Sequence, residues 1–228
     1  MFSGGIEYSI VRSKRKTVTI SIRDGVVTVK APPRTSVEYI NEFVAQKSAW
    51  IVKKLTEYKN KSNMFAPLER GECALLHGRY YDIVPSQSHK RITVDKACGV
   101  LYMPVKYADK TARDKALAAW YKRTAQTELC ARLGATSARI GLSYRSFALT
   151  NARTKWGSCD GECNIRLNWR LVMLDDGSVE YVIVHELAHT VHHDHSREFW
   201  AEVGKFVPDH AARKKRLKTY SVLTSMFR

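Results

Sequence analysis

Residues Val179 to His195 read VEYVIVHELAHTVHHDH, and no other stretch says more about how this chain folds. Its apolar residues recur at spacings of three and four, which is typical of a helix with one buried face. Five of the eight histidines in the chain lie between positions 185 and 195. The stretch therefore predicts a buried helix, starting at about Ser178, that runs through a histidine cluster.

His185 and His189 have the spacing of two metal ligands on one helix. Residues four apart on an α-helix are rotated by only about 40°, so both imidazoles face one point. Glu186 projects about 100° away, which makes it a poor third ligand but a well-placed general base. In the H-E-x-x-H pattern two neutral imidazoles hold zinc and the glutamate accepts a proton. The alternative, two hydrogen-bonded core histidines, is less consistent with the further histidine six residues later.

A catalytic zinc site usually has three protein ligands. A third ligand on the same straight helix, such as His192, would converge poorly with the outer histidine, whereas His195 converges if the helix ends near His193 and the chain turns. The spacing matches that of the metzincins, but His192 occupies the position of their turn glycine, so the turn must be made differently. The candidates for the third ligand are His192, His193, His195, Glu198, Glu202 and Asp209.

Several motifs together resemble the YgjP-like family of zinc-dependent hydrolases. HELAH is followed, after five residues, by HSREFW, and a basic-W-G-S-C stretch followed by L-N-W lies upstream. The matching segments are Thr154–Trp169 (TKWGSCDGECNIRLNW), His185–His189, His195–Trp200, Pro208–His210 (PDH), Ser13–Gly25 (SKRKTVTISIRDG) and Ala49–Lys54 (AWIVKK). The resemblance covers most of the chain and is far more specific than H-E-x-x-H alone.

This resemblance implies one zinc ion per chain, held by His185, His189 and His195, with Glu186 as the catalytic base. It also implies kinship with SprT-like and Wss-type proteases, some of which act on DNA-bound proteins. Asp194 stands where asparagine is usual, and Lys155 where arginine is common. Neither departure removes a ligand, although Asp194 can change the hydrogen bonds that orient the imidazoles.

Trp156, Gly157 and Ser158 are candidate substrate-binding residues. We expect them on or beside a strand that forms one wall of the cleft and pairs with an extended substrate. Gly157 would allow another backbone to approach closely, and Ser158 could donate a hydrogen bond. The alternative is a turn that packs Trp156 into the core. Cys159 and Cys163, which enclose an Asp-Gly turn, are interpreted as reduced thiols rather than as a second metal site.

The rest of the chain predicts an α+β fold: a zincin-like catalytic domain, with an antiparallel sheet and an active-site helix, after an N-terminal β-rich region. VTISIRDGVVTVKAP reads as a hairpin turning at Asp24-Gly25, and Ser36 caps a following helix. A polar run places a linker at about 59–70, so the predicted domains are 1–70 and 71–228, or one continuous domain. A long helix is expected from about Thr111 to Arg132, capped by Gly134. Ser196 is expected to cap another short helix, and Asp209 a last basic one. Strands are expected at Ser146–Thr150 and Asn164–Leu174.

Charge is the unusual bulk property. The 38 lysines and arginines against 22 acidic residues give a net charge of +16, which attracts polyanions such as nucleic acid or nucleotide phosphates. No apolar run is long enough for a membrane span, and the first residues lack the features of a signal peptide. Five scattered cysteines then favour reduced thiols and a cytoplasmic location.

Three functions follow as hypotheses. The first is a zinc hydrolase, most simply a metallopeptidase acting on polypeptides. The second uses the same metal site on a nucleotide, as a pyrophosphohydrolase of the UTP type. The third is a nucleic-acid-associated protein or protease whose binding depends on phosphate contacts; it ranks last because no recognisable nucleic-acid motif is present.

Overall fold

The computed structural model describes residues 1–227 of the 228-residue chain. The chain divides into two compact units, Met1–Met64 and Phe65–Arg228, and both contain helices and strands. This confirms the predicted α+β class. Among the described residues, no helix is at once long and apolar enough to span a bilayer.

The first unit combines small sheets with two helices. The hairpin prediction is confirmed: β4 and β5 pair antiparallel, and both Asp24 and Gly25 have the positive φ angles, 49° and 74°, of a tight hairpin turn. Ser36 caps α1 by accepting a hydrogen bond from the Tyr39 amide. The elements are β1 (Phe2–Ser3), β2 (Ile6–Glu7), β3 (Ser9–Arg12), β4 (Thr19–Arg23), β5 (Val26–Ala31), α1 (Val37–Gln46) and α2 (Ser48–Met64).

The predicted linker at about 59–70 contains the division between the two units, at Met64 and Phe65, but the segment is helical. The polar run Lys59 to Asn63 continues α2, and Ala66–Arg70 form a short helix, α3. The run contains neither glycine nor proline, so nothing in it interrupts the helical backbone. Polarity alone shows that these side chains can face solvent; it does not show that the helix ends.

The second unit contains a four-stranded and a three-stranded sheet. The order in the larger sheet is β6-β7-β9-β8, and in the smaller β10-β12-β11. Its elements are β6 (Cys73–Leu76), β7 (Arg79–Ser86), β8 (Thr93–Asp95), β9 (Val100–Pro104), α4 (Lys110–Ile140), β10 (Ser146–Thr150), β11 (Gly157–Cys159), β12 (Asn164–Asn168), α5 (Asp176–Ala188), α6 (Arg197–Phe206) and α7 (His210–Leu217). Three 3-10 helices, Val105–Tyr107, Trp169–Met173 and Thr219–Ser225, join them.

The three-stranded sheet is mixed. β11 pairs antiparallel with β12, as expected, but β10 pairs with β12 in parallel. β12 is also shorter than predicted, because the chain leaves the sheet at Asn168 and forms a buried 3-10 helix from Trp169 to Met173. β11 is left at the edge of the sheet, with one side unpaired.

Helix α4 is longer than its predicted range. It ends at Ile140, and its C-terminal cap is Gly141, whose φ of 72° lies in the left-handed region. Gly134, the predicted cap, lies inside the helix. The buried stripe continues past it to Ile140, and this contact with the core outweighs the weak helix propensity of one glycine.

Candidate metal centre and active site

The active helix, α5, has a firmly anchored first turn. The Asp175 carboxylate accepts hydrogen bonds from the amide and the hydroxyl of Ser178, both at 3.0 Å. Arg216 and Tyr220 donate to the same carboxylate at 2.8 and 2.9 Å. The helix therefore begins at Asp176, slightly before the predicted start, and its apolar residues are buried on all sides.

The end of α5 makes the turn that the third histidine needs. The helix stops at Ala188, earlier than predicted, and the amides of Thr190, Val191 and His192 bond to the carbonyls of Leu187 and Ala188. Among the described residues, no position from 189 to 195 has a positive φ. The reversal therefore needs no glycine, which explains how a histidine can occupy position 192.

A second hydrogen-bonded turn completes the reversal. The Asp194 carboxylate accepts a hydrogen bond from the Ser196 amide at 3.0 Å. The Ser196 hydroxyl then accepts one from the Phe199 amide and caps α6, as predicted. Asp194, one of the two departures from the family pattern, thus positions the chain on the far side of His195.

The structure brings His185, His189 and His195 together. One ligand nitrogen from each lies within 4.8 Å of the other two. The Nε2 atoms of His185 and His195 are 3.2 Å apart. Nδ1–H of His189 donates to the His192 carbonyl at 2.9 Å, which leaves Nε2 of His189 unprotonated. Among the described residues, His192 and His193 are outside this cluster.

The distance between two of the imidazoles fits a tetrahedral ion. Two nitrogens each bound to zinc lie about 3.4 Å apart when the bonds are about 2.1 Å long, close to the 3.2 Å between the facing Nε2 atoms. Nδ1 of His185 is buried and has no hydrogen-bond partner among the described residues. The described residues therefore leave one hydrogen-bonding atom of this imidazole without a partner.

The protonation state of the cluster also suits a metal. Burial is the main cause that lowers the pKa of His185 to about 3, with repulsion from His189, His195 and Lys214 added. Burial likewise lowers the pKa of His189. Because an imidazole binds metal only in its neutral form, these two residues are ready as ligands at neutral pH.

Phe199 is the packing surface for all three imidazoles. Its fully buried ring lies 4.9 Å from the His185 ring, 4.4 Å from His189 and 4.8 Å from His195, measured between centroids. Phe199 thus packs against the active helix and restricts the positions of the three side chains.

Glu186 is buried beside the cluster without joining it. Its side chain is 5% exposed, and burial raises its pKa to about 8, against the opposing effect of the Lys155 charge. A Cβ atom at Gly157 would lie 2.6 Å from Cγ and Oε1 of Glu186. Gly157 was expected to admit a substrate backbone, but what approaches it in the structure is the glutamate side chain.

Trp156, Gly157 and Ser158 lie at the start of β11, next to α5. The Trp156 carbonyl accepts a hydrogen bond from the Asn168 amide at 2.8 Å. The Asn168 side chain donates to the carbonyls of Ala152 and Lys155 at 2.8 and 3.0 Å. Asn168 therefore holds in place the segment from Ala152 to Trp156, which leads into the site. The sequence indicates Asn168 only as part of the L-N-W motif, and the motif alone does not predict this role.

A comparison of the sequence with models of protein families also gives a match. The family model of the YgjP-like metallopeptidase domain matches residues 16–220. The chain belongs to the YgjP-like family. No curated protein and no solved structure matches it in the corresponding comparisons. The predicted resemblance is thereby confirmed, and the matched range includes every candidate site residue.

In this YgjP-like domain two cavities border the cluster. One, of about 380 Å³, is lined by Trp156, Tyr181 and Leu217 and by three lysines. The other, of about 280 Å³, is lined by Ser158, Cys159 and His193. His185, Glu186 and His195 line both, so the two cavities meet at the histidine cluster.

The sequence reasoning missed Lys214, Lys218 and Tyr181, which line the larger cavity. The sequence does indicate that the two lysines act together, since they are four residues apart on the last basic helix and therefore share one of its faces. That helix does follow Asp209, as predicted, although the Asp209 side chain makes no capping bond. Tyr181 carried no signal, because its position in an apolar run resembles an ordinary core residue.

The other histidines and cysteines have ordinary surroundings. His77 lies 2.7 Å from Glu128, and His89 stacks on Tyr102. Cys159 and Cys163 are free thiols on either side of the turn between β11 and β12.

Proposed function

We propose that this YgjP-like chain is a zinc-dependent metallopeptidase in which Glu186 is the general base. The observation that carries the proposal is the convergence of His185, His189 and His195 next to a buried glutamate and an edge strand. The proposed zinc ligands are these three histidines. A zinc ion held there supplies Lewis-acid chemistry, drawing electron density from a carbonyl oxygen and making water more acidic.

Glu186 would move the protons. Its carboxylate takes one from the attacking water and later delivers it to the leaving amine. Because Gly157 has no side chain, the glutamate can lie against β11 with Oε1 held at the edge of both cavities. Its raised pKa suits a group that must both accept and donate a proton near neutral pH.

A polypeptide fits this site better than a compact substrate. β11 is an edge strand, and an extended peptide can add to such an edge through backbone hydrogen bonds. The two cavities that meet at the cluster give room for substrate residues next to the scissile bond. Ser158 and Trp156 would then contact the substrate from β11.

The test compares the wild type with Glu186→Gln and His195→Ala. We expect Glu186→Gln to keep one zinc per chain and to lose about 10²- to 10⁴-fold in kcat, while His195→Ala loses zinc. His192→Ala is the matched control for zinc content, because its ring lies outside the cluster. Elemental analysis and hydrolysis of denatured proteins and peptides are the measurements. Wild-type turnover by Glu186→Gln would exclude the proposed mechanism.

A nucleotide pyrophosphohydrolase is the second candidate. The three lysines of the larger cavity favour it, since ammonium groups also bind phosphates. A screen of nucleoside triphosphates beside peptides separates the two. Release of pyrophosphate without cleavage of any peptide would replace the peptidase by this activity.

A further inference from the structure

The larger cavity is lined by Lys155, Lys214 and Lys218 together with Trp156, Tyr181 and Leu217, and we refer to it as the basic pocket. Its three lysines come from two segments, the chain before β11 and helix α7 with its C-terminal cap. Lys214 and Lys218 are four residues apart, so they project from one face of α7. Two separate parts of the chain therefore place positive charge around one cavity.

The arginines of the same helix are used differently. Arg213 pairs with Glu180 at 2.7 Å and with Asp209 at 2.9 Å, and Arg216 pairs with Asp175 at 2.8 Å. The pairs with Glu180 and Asp175 hold α7 against the start of α5. Among the described residues, no carboxylate lies within salt-bridge distance of Lys155, Lys214 or Lys218. Lys214 lies over the Trp200 ring, 4.4 Å from its centroid, so within the described part of the chain none of the three lysine charges is neutralised by a salt bridge.

The walls of the pocket indicate the size and kind of ligand. Trp156, Tyr181 and Leu217 give it an apolar surface, suited to methylene groups. The one acidic residue in its lining is Glu186, which is 5% exposed and turned against Gly157. A cavity of about 380 Å³ holds an amino-acid side chain with room to spare. A short aliphatic chain that ends in an anion matches these features.

We propose that the basic pocket is a specificity subsite for an acidic residue, glutamate or aspartate, next to the scissile bond of the polypeptide substrate. This inference rests on the proposed peptidase function. His185, Glu186 and His195 form the inner wall of the pocket, so a side chain bound there belongs to a residue close to the bond that is cut. A lysine in the same place would meet three like charges.

The smaller cavity is less positive than the basic pocket. It shares Lys155 with the basic pocket but lacks Lys214 and Lys218, and it is lined instead by Ser158, Cys159 and His193. A substrate residue bound there therefore experiences less positive charge. The preference should be confined to the substrate position that enters the basic pocket.

The experiment uses quenched fluorescent peptides that differ at one residue, which is glutamate, glutamine or lysine, at each position flanking a mapped cleavage site. The full-length zinc-loaded enzyme is compared with the double variant Lys214→Glu/Lys218→Glu. Lys215→Glu is the matched control, because Lys215 lies on the same helix but does not line the pocket. Circular dichroism and zinc content show that each variant is folded and loaded.

For the wild type and for Lys215→Glu we expect kcat/KM to favour glutamate over lysine by at least about tenfold at one position. The double variant should lose or reverse that ratio, mainly through KM. An equal ratio in all three enzymes overturns the proposed subsite. The proposed peptidase function still holds in that case if Glu186→Gln loses the cleavage activity. Hydrolysis of nucleoside triphosphates with no peptide cleaved overturns both, and would assign the lysines to phosphate.

Discussion

Gly157 and Glu186 form the closest pairing in the site. A methyl group at position 157 would lie 2.6 Å from Cγ and Oε1 of the buried glutamate, well inside contact distance. The glutamate must then move, and a displacement of about 1 Å in a catalytic group can cost about 10²-fold in rate. The lack of a side chain at position 157 thus allows Glu186 to occupy its observed position.

We therefore expect Gly157→Ala to lower kcat by about 10²-fold while the chain still binds zinc. Steady-state kinetics together with elemental analysis give the two quantities. Gly161→Ala is the matched control, since Gly161 lies in the turn that follows β11 and a Cβ there meets nothing within 4 Å. Equal kinetics for the two alanine variants would show that the glutamate position is not set by Gly157.

The two glycines of α4 differ in what the backbone requires of them. Gly134 is inside the helix, and a Cβ there meets only the Tyr144 hydroxyl at 3.9 Å. Gly141 is the C-terminal cap, with φ at 72°. We expect Gly134→Ala to stabilise the fold by about 0.4–1 kcal/mol and Gly141→Ala to destabilise it by about 1 kcal/mol. Urea unfolding measures both, and destabilisation by Gly134→Ala would contradict the helix boundaries.

The first turn of α5 should make stability depend on pH. Partial burial acts to raise the pKa of Asp175, but hydrogen bonds from Ser178, Arg216 and Tyr220 outweigh it and keep the pKa below its ordinary value. A group with a lowered pKa stabilises the fold above its unfolded pKa, about 3.9 for aspartate. That contribution is lost as the pH falls through the folded value.

Asp175→Asn tests this directly, because asparagine keeps the capping ability but removes the charge. We expect the variant to be less stable than the wild type by about 1 kcal/mol at pH 6–7. The difference in free energy of unfolding should shrink below about pH 4. Urea unfolding across pH 3–7 gives the curve, and a difference that grows as the pH falls would reverse the assigned sign.

At the scale of the whole molecule, positive charge is present in both units. Residues 1–64 hold 12 basic and five acidic residues, and residues 65–228 hold 26 and 17, so the net charges are +7 and +9. The charge is therefore not confined to the surroundings of the active site. It supports the proposal that the chain also associates with nucleic acid.

We expect binding to a short DNA or RNA at low salt, with an association constant that falls steeply as salt increases. Fluorescence anisotropy at two or more salt concentrations measures it. An uncharged peptide nucleic acid of the same base sequence is the control, because it offers the bases without phosphates. No binding at low salt would remove nucleic acid as a partner.

Local patterns predicted the elements well where the cause is local. The Asp24-Gly25 turn, the Ser36 and Ser196 caps and the helical spacing of His185 and His189 depend on residues a few positions apart. The errors are at boundaries. Helix α4 passes Gly134 because buried neighbours distant in sequence support its last turns, whereas α2 passes the polar run after Lys59 because nothing in that run interrupts the helical backbone.

The sequence by itself determined the identity of the chemical groups: two histidines and a glutamate on one helix, a third histidine after it, and a glycine, Gly157, upstream of the helix. Only the tertiary structure decided that Glu186 is what lies against Gly157, that Asn168 holds the entering segment, and that Lys214 and Lys218 line one cavity. The physical reason is distance along the chain. Helical spacing relates residues within a turn or two, whereas contacts between residues tens of positions apart exist only after the helices and strands have packed.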